Sequence, residues 1–513
     1  MNEAMNLARL LRTPAQAQAE KTALAYGSTS VEGTVSFAQL DAEADRVAAG
    51  LRRLGVQPGD RVAIAMPNVP HFVFAYFGIL RCGAVAIPLN VMLAEQEIVH
   101  ILDDAEPIAI LGAGDAGDVA EKAASSLERS IEVIQADRWE ELGEIGERVG
   151  DVAVDDDDLA VLAYTSGTTG RPKGAMLSHG NLLANLEQQS QIPEDRVTPD
   201  DILLLTLPLF HIFGLNVPLG LLVKNGATGV LLERFEPVAC LREIEKQKVT
   251  ILFGAPPMYL AWVSTPGADQ YDLSSVRLAV SGAAPLAVEV LNSFHELFGV
   301  EIDEGYGLTE TAPTLTSNRM TPKPKAGSVG KALPGVELRI VDEIGNDVEP
   351  GDLGEIIVKG PNVFKGYWRQ PEETERVFTS GWFRTGDIAV RDDEGYIHLV
   401  DRKRDLVIVS GFNVFPSEVE AALLQNPQVK EAAVVGVPHE YRGESLNAFV
   451  VLQSDSDATA TELLADVGTR LARFKCPEKI EIVEDLPHLL SGKVARRILR
   501  TPPEAKDAEP TAV

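Results

Sequence analysis

Eleven consecutive residues have the types and spacing to hold an anion: Tyr164-Thr165-Ser166-Gly167-Thr168-Thr169-Gly170-Arg171-Pro172-Lys173-Gly174. Gly167, Gly170 and Gly174 let a backbone turn tightly and approach a ligand. Thr165, Ser166, Thr168 and Thr169 offer hydroxyl donors, and Lys173 adds a mobile positive charge. The apolar run Leu159 to Ala163 reads as a short buried strand, so the cluster is expected on the loop leaving it. A phosphate group suits such a loop. The phosphate loop of nucleoside triphosphatases ends in Gly-Lys-Ser/Thr and opens a helix at the lysine. Here Pro172 precedes Lys173 and Gly174 follows it, which excludes that motif.

The elements that must position this loop alternate. Helical spacing from Phe37 to Leu54 is followed by strand-like Arg61 to Met66, helical Phe72 to Leu80, strand-like Ala84 to Pro88, helical Glu95 to Asp103 and strand-like Ile108 to Leu111. After the loop the alternation resumes with a helix near Asn181 to Gln189, strand Ile202 to Thr206, helix Gly214 to Val223, strand Thr228 to Leu232, helix Val238 to Gln247 and strand Thr250 to Phe253. Two α/β halves are the expected reading. Strand Val276 to Ser281 runs into Gly282-Ala283-Ala284-Pro285. Strand Glu301 to Asp303 runs into Glu304-Gly305-Tyr306-Gly307-Leu308-Thr309-Glu310-Thr311. Both are expected as strand-to-loop exits, where α/β sheets place ligands. From about Gly327 short strands and dense turns predict a small β-barrel-like unit, and the last ~100 residues predict a small α+β domain.

A chain of 513 residues is too long for a single core. Its net charge of -30 argues against a nucleic-acid or anionic-membrane face, so anionic ligands must be met by local cations and backbone N–H groups. Cys82, Cys240 and Cys476 match no metal or redox spacing and read as reduced thiols, and Met1 to Arg12 lacks a signal-peptide core. The apolar runs Val69 to Ile87 and Ile202 to Val223 carry His71, Arg81, Pro208, His211, Asn216 and Pro218, which fits buried pieces better than membrane spans. Asp151 to Asp158 reads as a solvated acidic connector, and 501–513 as a disordered tail that does not end in a peroxisomal address.

The loop at Tyr164 to Gly174 resembles the phosphate-binding signature of the adenylate-forming superfamily, which includes acyl-CoA synthetases, peptide-synthetase adenylation domains and beetle luciferases. The other signature stretches follow in the family's order, and the resemblance runs from about Ala23 to Leu499. By residue type alone His211 is a core histidine, Asp387 a turn aspartate and Lys493 an exposed lysine. The resemblance implies otherwise. His211, within Pro208 to Gly214, would lie beside the carboxylate of the acid. Gly282, Ala283, Ala284 and Pro285 would wall one side of the adenine. In the stretch Glu304, Gly305, Tyr306, Gly307, Tyr306 would stack on the base, while Thr309 would bond a phosphate. Glu310, with Thr165, would hold Mg2+. Asp387, in Trp382-Phe383-Arg384-Thr385-Gly386-Asp387, would accept from the ribose hydroxyls, and Arg402 would touch ribose and phosphate. Ser410, Gly411 and Phe412 would lie along the pantetheine of CoA, and Lys493 would neutralise the reacting carboxylate and α-phosphate. The hinge position, usually Asp or Lys, is Arg404.

The resemblance therefore implies an AMP-forming acid-CoA ligase using ATP, Mg2+ and coenzyme A. Its N-terminal domain would span 1–401 (two α/β halves and a β unit from about 327). A mobile cap domain, 402–500, would rotate between the two half-reactions. Lys493, His211, Glu310 and Arg402 are the expected catalytic residues. The expected partners are a carboxylic acid, ATP and CoA, with no nucleic acid and no integral membrane segment. A homodimer is compatible, and the expected location is cytoplasmic. The run Thr309 to Asn318 is most similar to fatty-acyl members, with Leu209, Phe213 and Leu215 as expected tunnel residues. A 4-coumarate-like or other aryl acid is the alternative, as is a stand-alone enzyme loading a carrier protein. A luciferase and a non-enzymatic ATP-binding regulator fit the residues less well.

Overall fold

A computed structural model describes residues 5–27, 32–166, 172–193, 196–321, 323–402, 406–409, 412–439, 443–454, 456–488 and 494–500. The chain splits into two compact units. One comprises Met1–Leu338 with Val358–Phe383, the other Arg339–Ile357 with Arg384–Val513.

The first unit is built on two sheets. A six-stranded sheet runs in the order Glu132–Gln135, Ala109–Gly112, Arg61–Ala65, Val85–Pro88, Leu159–Ser166, Pro172–Ser178. Val85–Pro88 and Ala109–Gly112 are buried at every position, as a parallel strand covered on both faces requires. Helices Pro70–Arg81, Glu95–Ala105 and Gly114–Ser125 follow its strands, and Pro70 and Glu95 open theirs with residues suited to a first turn. A nine-stranded sheet has Ile302–Gly307, Leu278–Ser281, Ile251–Gly254, Ile202–Leu205 and Thr228–Leu231 side by side and parallel at its centre. The expected two α/β halves are these two sheets with their helices.

The second unit carries a ladder in which Asp387 to Arg391 run antiparallel to Ile397–Arg402. It also holds a five-stranded sheet in the order Phe412–Val414, Val407–Val409, Gly443–Leu452, Val429–His439, with Lys479–Ile482 parallel to Gly443–Leu452. Helices Pro416–Leu424 and Ala460–Arg470 cover it over a core of Val407, Val414, Val434, Leu446, Val450 and Leu463.

Several expectations are corrected. Lys173 and Gly174 are not on a loop: Pro172–Ser178 is the second strand of an antiparallel hairpin, with Thr165 opposite Lys173. Tyr306 lies on a strand that continues to Gly307, because Thr314–Ser317 pairs with it and extends the ladder. The helix after His211 contains a π-helical segment, Leu215–Leu219, around Pro218, whose missing N–H breaks regular α-helical bonding. The acidic connector is only half solvated. Asp155–Asp158 are exposed, whereas Asp151 bonds Arg12 at 3.2 Å and lies 3.5 Å from the fully buried Arg81. Among the described residues no helix is long and apolar enough to cross a membrane.

Candidate active site

The hairpin delivers Lys173 into a polar cluster that a second segment completes. Residues 365–368 run antiparallel against its outer strand. Lys365 N–H donates to the Met176 carbonyl at 2.9 Å, Met176 N–H to the Gly366 carbonyl at 3.0 Å, and Trp368 N–H to the Gly174 carbonyl at 2.8 Å. Ala175 thus faces Tyr367 across an isolated bridge. The Lys173 ammonium, on a side chain 10% exposed, lies 5.4 Å from the centre of the Tyr367 ring and is ion-paired with Glu373. Glu373 sits in the first turn of the short helix Pro371–Val377, and its other oxygen meets Arg376. The Lys173 hydrogen bond, ahead of the cost of desolvation, holds the Glu373 carboxyl below its ordinary range.

Tyr367 also reaches the expected metal carboxylate. Its hydroxyl donates to Glu310 Oε1 at 2.9 Å, and Phe364 N–H donates to the Glu310 carbonyl at 2.9 Å. Glu310 is held in the short 3₁₀ turn Thr309–Thr311. Buried amides fix that turn. Asn362 Nδ2 donates to the Thr311 carbonyl at 2.8 Å, Asn185 Nδ2 to the Thr314 carbonyl at 2.8 Å, and Asn181 Nδ2 to the carbonyls of Pro361 and Val363. Just before the turn, a side chain at Gly307 would collide with the Pro313 carbonyl, so glycine is required where the strand ends.

The remaining expected residues of this unit fall around the ends of the nine-stranded sheet. His211 starts the helical run, its Nδ1 accepting from Phe213 N–H at 3.2 Å. A neutral imidazole accepting there carries its proton on Nε2, which leaves Nε2 as a donor. Phe213 packs edge-on to Phe253 and lies against Gly282, where a Cβ would sit 3.1 Å from its ring and push it by a few tenths of an ångström. Glu304, 5% exposed, accepts from Leu286 N–H at 3.2 Å and so braces the Gly282 to Pro285 turn, in which Ala283 has φ +72°. Tyr306 is 8% exposed, and Gly305 opposes Ser317 in the ladder. Leu209, Phe213 and Leu215 are all buried, and Phe213 lies against the Gly282 turn.

In the second unit Asp387 is 6% exposed. It stands directly opposite Arg402 in the antiparallel ladder, so the two expected ribose contacts occupy facing positions. Thr385 Oγ1 donates to the Ile356 carbonyl and accepts from Asp387 N–H, which fixes the turn before it. Gly167, Thr168, Thr169, Gly170, Arg404, Ser410, Gly411 and Lys493 lie outside the described residues, as does 501–513. Ser166, Arg402 and Phe412 enter by backbone pairing alone.

Tyr367 and Glu373 are the residues that sequence reasoning missed. Their stretch, Lys365-Gly366-Tyr367-Trp368-Arg369-Gln370-Pro371-Glu372-Glu373, carries a readable helix start at Pro371. Nothing in residue spacing says that it pairs with a strand about 190 residues earlier in the chain.

A buried lysine and a carboxylate braced by a tyrosine thus stand together beside strands of the two α/β sheets. The chain matches the AMP-binding enzyme family over residues 11–368 and the C-terminal domain of AMP-binding enzymes over 418–493. It is 36% identical to the long-chain-fatty-acid–CoA ligase of Bacillus subtilis, over 94% of this chain and 91% of that one. It is 39% identical to the feruloyl-CoA synthase of an Amycolatopsis species, over 93% and 95%. The crystal structure of ATP-bound MatB from Rhodopseudomonas palustris superposes with a TM-score of 0.89 at 36% identity, covering 97% of this chain and 98% of that one. The chain belongs to the AMP-binding enzyme family and is an acid–thiol ligase of the adenylate-forming superfamily.

Proposed function

We propose that the enzyme activates a medium- to long-chain fatty acid as its acyl-adenylate, releasing pyrophosphate, and then forms the acyl-CoA thioester. The observation that carries the adenylating step is the join of Lys173 to Glu310 through Tyr367. A carboxylate is a poor acylating agent because its leaving group would be oxide, and transfer of AMP makes that oxygen part of a phosphate leaving group. The attack brings an anion toward a polyanion, so positive charge must stand where negative charge develops. Lys173 supplies one such charge on the phosphates, and Lys493 is assigned the other at the carboxylate and α-phosphate.

The donor set fits Mg2+: Glu310 offers a hard carboxylate oxygen already oriented by a hydroxyl, with Thr165 across the hairpin from Lys173. When bound, the ion supplies opposing charge to the phosphate oxygens. His211 Nε2 is assigned to hold the acid's carboxylate, Tyr306 and the Gly282 to Pro285 turn to hold adenine, and Thr309 to bond a phosphate. Asp387 and Arg402 are assigned to the ribose, and Ser410 to Phe412 to the pantetheine. The loop Thr165 to Gly170 is assigned to the phosphates.

We further propose that a cap domain beginning at 402 rotates about Arg404 between adenylation and thioester formation. The fatty acid is favoured over an aryl acid by the likeness of Thr309 to Asn318 to fatty-acyl members. The three cysteines are free, as a reducing, cytoplasmic setting would keep them. A homodimer is part of the proposal, and a monomer mass by light scattering would overturn it. A panel of aliphatic and aryl acids, scored by pyrophosphate release with and without CoA, tests the substrate. Turnover confined to feruloyl-type acids would replace the fatty acid, and release indifferent to CoA would point to a carrier protein.

A further inference from the structure

Between the lysine assigned to the phosphates and the carboxylate assigned to the metal lies a side chain with no assigned role. The Tyr367 hydroxyl is 2.9 Å from Glu310 Oε1, and the face of its ring lies 5.4 Å from the Lys173 ammonium. Glu373 is ion-paired with the same ammonium. The backbone that holds Tyr367 is bonded directly to the strand that carries Lys173, and the segment leading into it is bonded to the Glu310 turn through Phe364 and Asn362.

Each contact has a separate physical consequence. A buried ammonium on a four-carbon stem samples many rotamers, and a carboxylate on one side with a π face on another restrict it. A carboxylate that accepts a hydroxyl hydrogen bond on one oxygen presents the other at a fixed angle. Tyr367 performs both tasks with one ring. The cation for the phosphates and the anion for the metal are thereby set at one spacing, the spacing that a metal-bound polyphosphate must match.

Resting on the site reading above, we propose that Tyr367 and Glu373 are positioning residues of adenylation. Glu373 holds the Lys173 ammonium against the Tyr367 ring, and the Tyr367 hydroxyl locks Glu310 in register with it. Two carboxylates, those of Glu310 and Glu373, are thus coupled through a lysine and a tyrosine. Neither Tyr367 nor Glu373 exchanges a proton or a bond with substrate.

Steady-state pyrophosphate release, measured against ATP and against Mg2+ with the full chain, tests this. Tyr367→Phe keeps the ring and removes only the hydroxyl. It should raise the Mg2+ concentration for half-maximal rate by about tenfold, with KM for the acid unmoved. Glu373→Gln should raise KM for ATP by roughly tenfold, and Glu373→Asp should recover most of that loss. The rise in melting temperature on adding ATP and Mg2+ reads binding without turnover and should shrink in both Tyr367→Phe and Glu373→Gln. In a double-mutant cycle, adding Glu373→Gln to Lys173→Ala should cost less than about twofold more.

A Mg2+ curve for Tyr367→Phe that overlays the unchanged enzyme, or Lys173 and Glu373 effects that multiply independently, would overturn the inference. Undiminished turnover in Lys173→Ala or Glu310→Ala would instead overturn the site reading on which it rests.

Discussion

Two clusters of buried charge in the first unit differ in how completely they are neutralised. Arg81, with no exposed surface, faces Asp41, Asp45 and Asp151. Arg12 shares all three carboxylates, meeting Asp45 at 2.7 Å and Asp41 at 3.0 Å. Every charge there has several partners of opposite sign, and the cluster ties helix Phe37–Arg53 to helix Pro70–Arg81 and to the connector before the hairpin. Lys173, nearly as buried, meets one carboxylate among the described residues and the face of a ring. In the arginine cluster Arg12 and Arg81 each already meet three carboxylates, and its role is to hold helices together. The lysine, held by one anion and a weak quadrupole, can still take a further anion, and its binding capacity lies in that difference.

The comparison can be broken from either side. The largest effect is expected at the arginine cluster: Arg81→Ala, which removes the fully buried cation and leaves Asp45 to Arg12 and Asp41 to Arg12 and Arg148, should cost about 3–5 kcal/mol of stability in urea unfolding. The variant that folds should keep its KM for ATP. Lys173→Ala should do the opposite, lowering kcat for pyrophosphate release by about 10²–10³ while the melting temperature stays within about 2 °C. If Lys173→Ala lowered stability as much as Arg81→Ala, the two clusters would be alike and the contrast would fail.

A third test uses pH at the far end of the lysine's own strand. His179, buried where strand Pro172–Ser178 becomes a helix, accepts from Leu7 N–H on Nδ1 at 3.1 Å, and burial lowers its pKa to about 4. The unfolded imidazole, with an ordinary pKa near 6.5, takes a proton that the folded one refuses. The stabilisation is therefore complete above about 6.5 and is lost as pH falls toward 4, on the order of 2–3 kcal/mol. Urea midpoints between pH 7 and 4 should show this slope, and His179→Gln should flatten it. The smallest effect is expected at Tyr164. Burial, ahead of its bond to Asp104, raises its phenol pKa. Tyr164→Phe should cost about 1 kcal/mol of stability and leave KM for ATP within about twofold.

How far the site could be read varied with how local its determinants were. The alternation of apolar strands and amphipathic helices predicted both α/β halves because burial on one face or both is written into each segment's own periodicity. Strand ends were harder. Glu304 to Gly307 has glycines at alternate positions, which look like a loop, and only the ladder with Thr314–Ser317 makes them strand. Asp151 belonged to a run of acids and was read as solvated, and two arginines distant in sequence decided otherwise. Tyr367 and Glu373 were passed over for the same reason: their partner strand lies far away along the chain.

By itself the sequence determined the family and the order of its signature stretches, and it singled out Lys173 and Glu310. All of that is carried by short motifs whose chemistry is complete within a few residues. Only the tertiary structure decided that Lys173 stands on a strand, that Tyr367 joins it to Glu310, and that Asp387 faces Arg402 across a ladder. Those facts depend on which backbone edges pair, and pairing between distant segments is settled by the burial and hydrogen bonding of the whole fold.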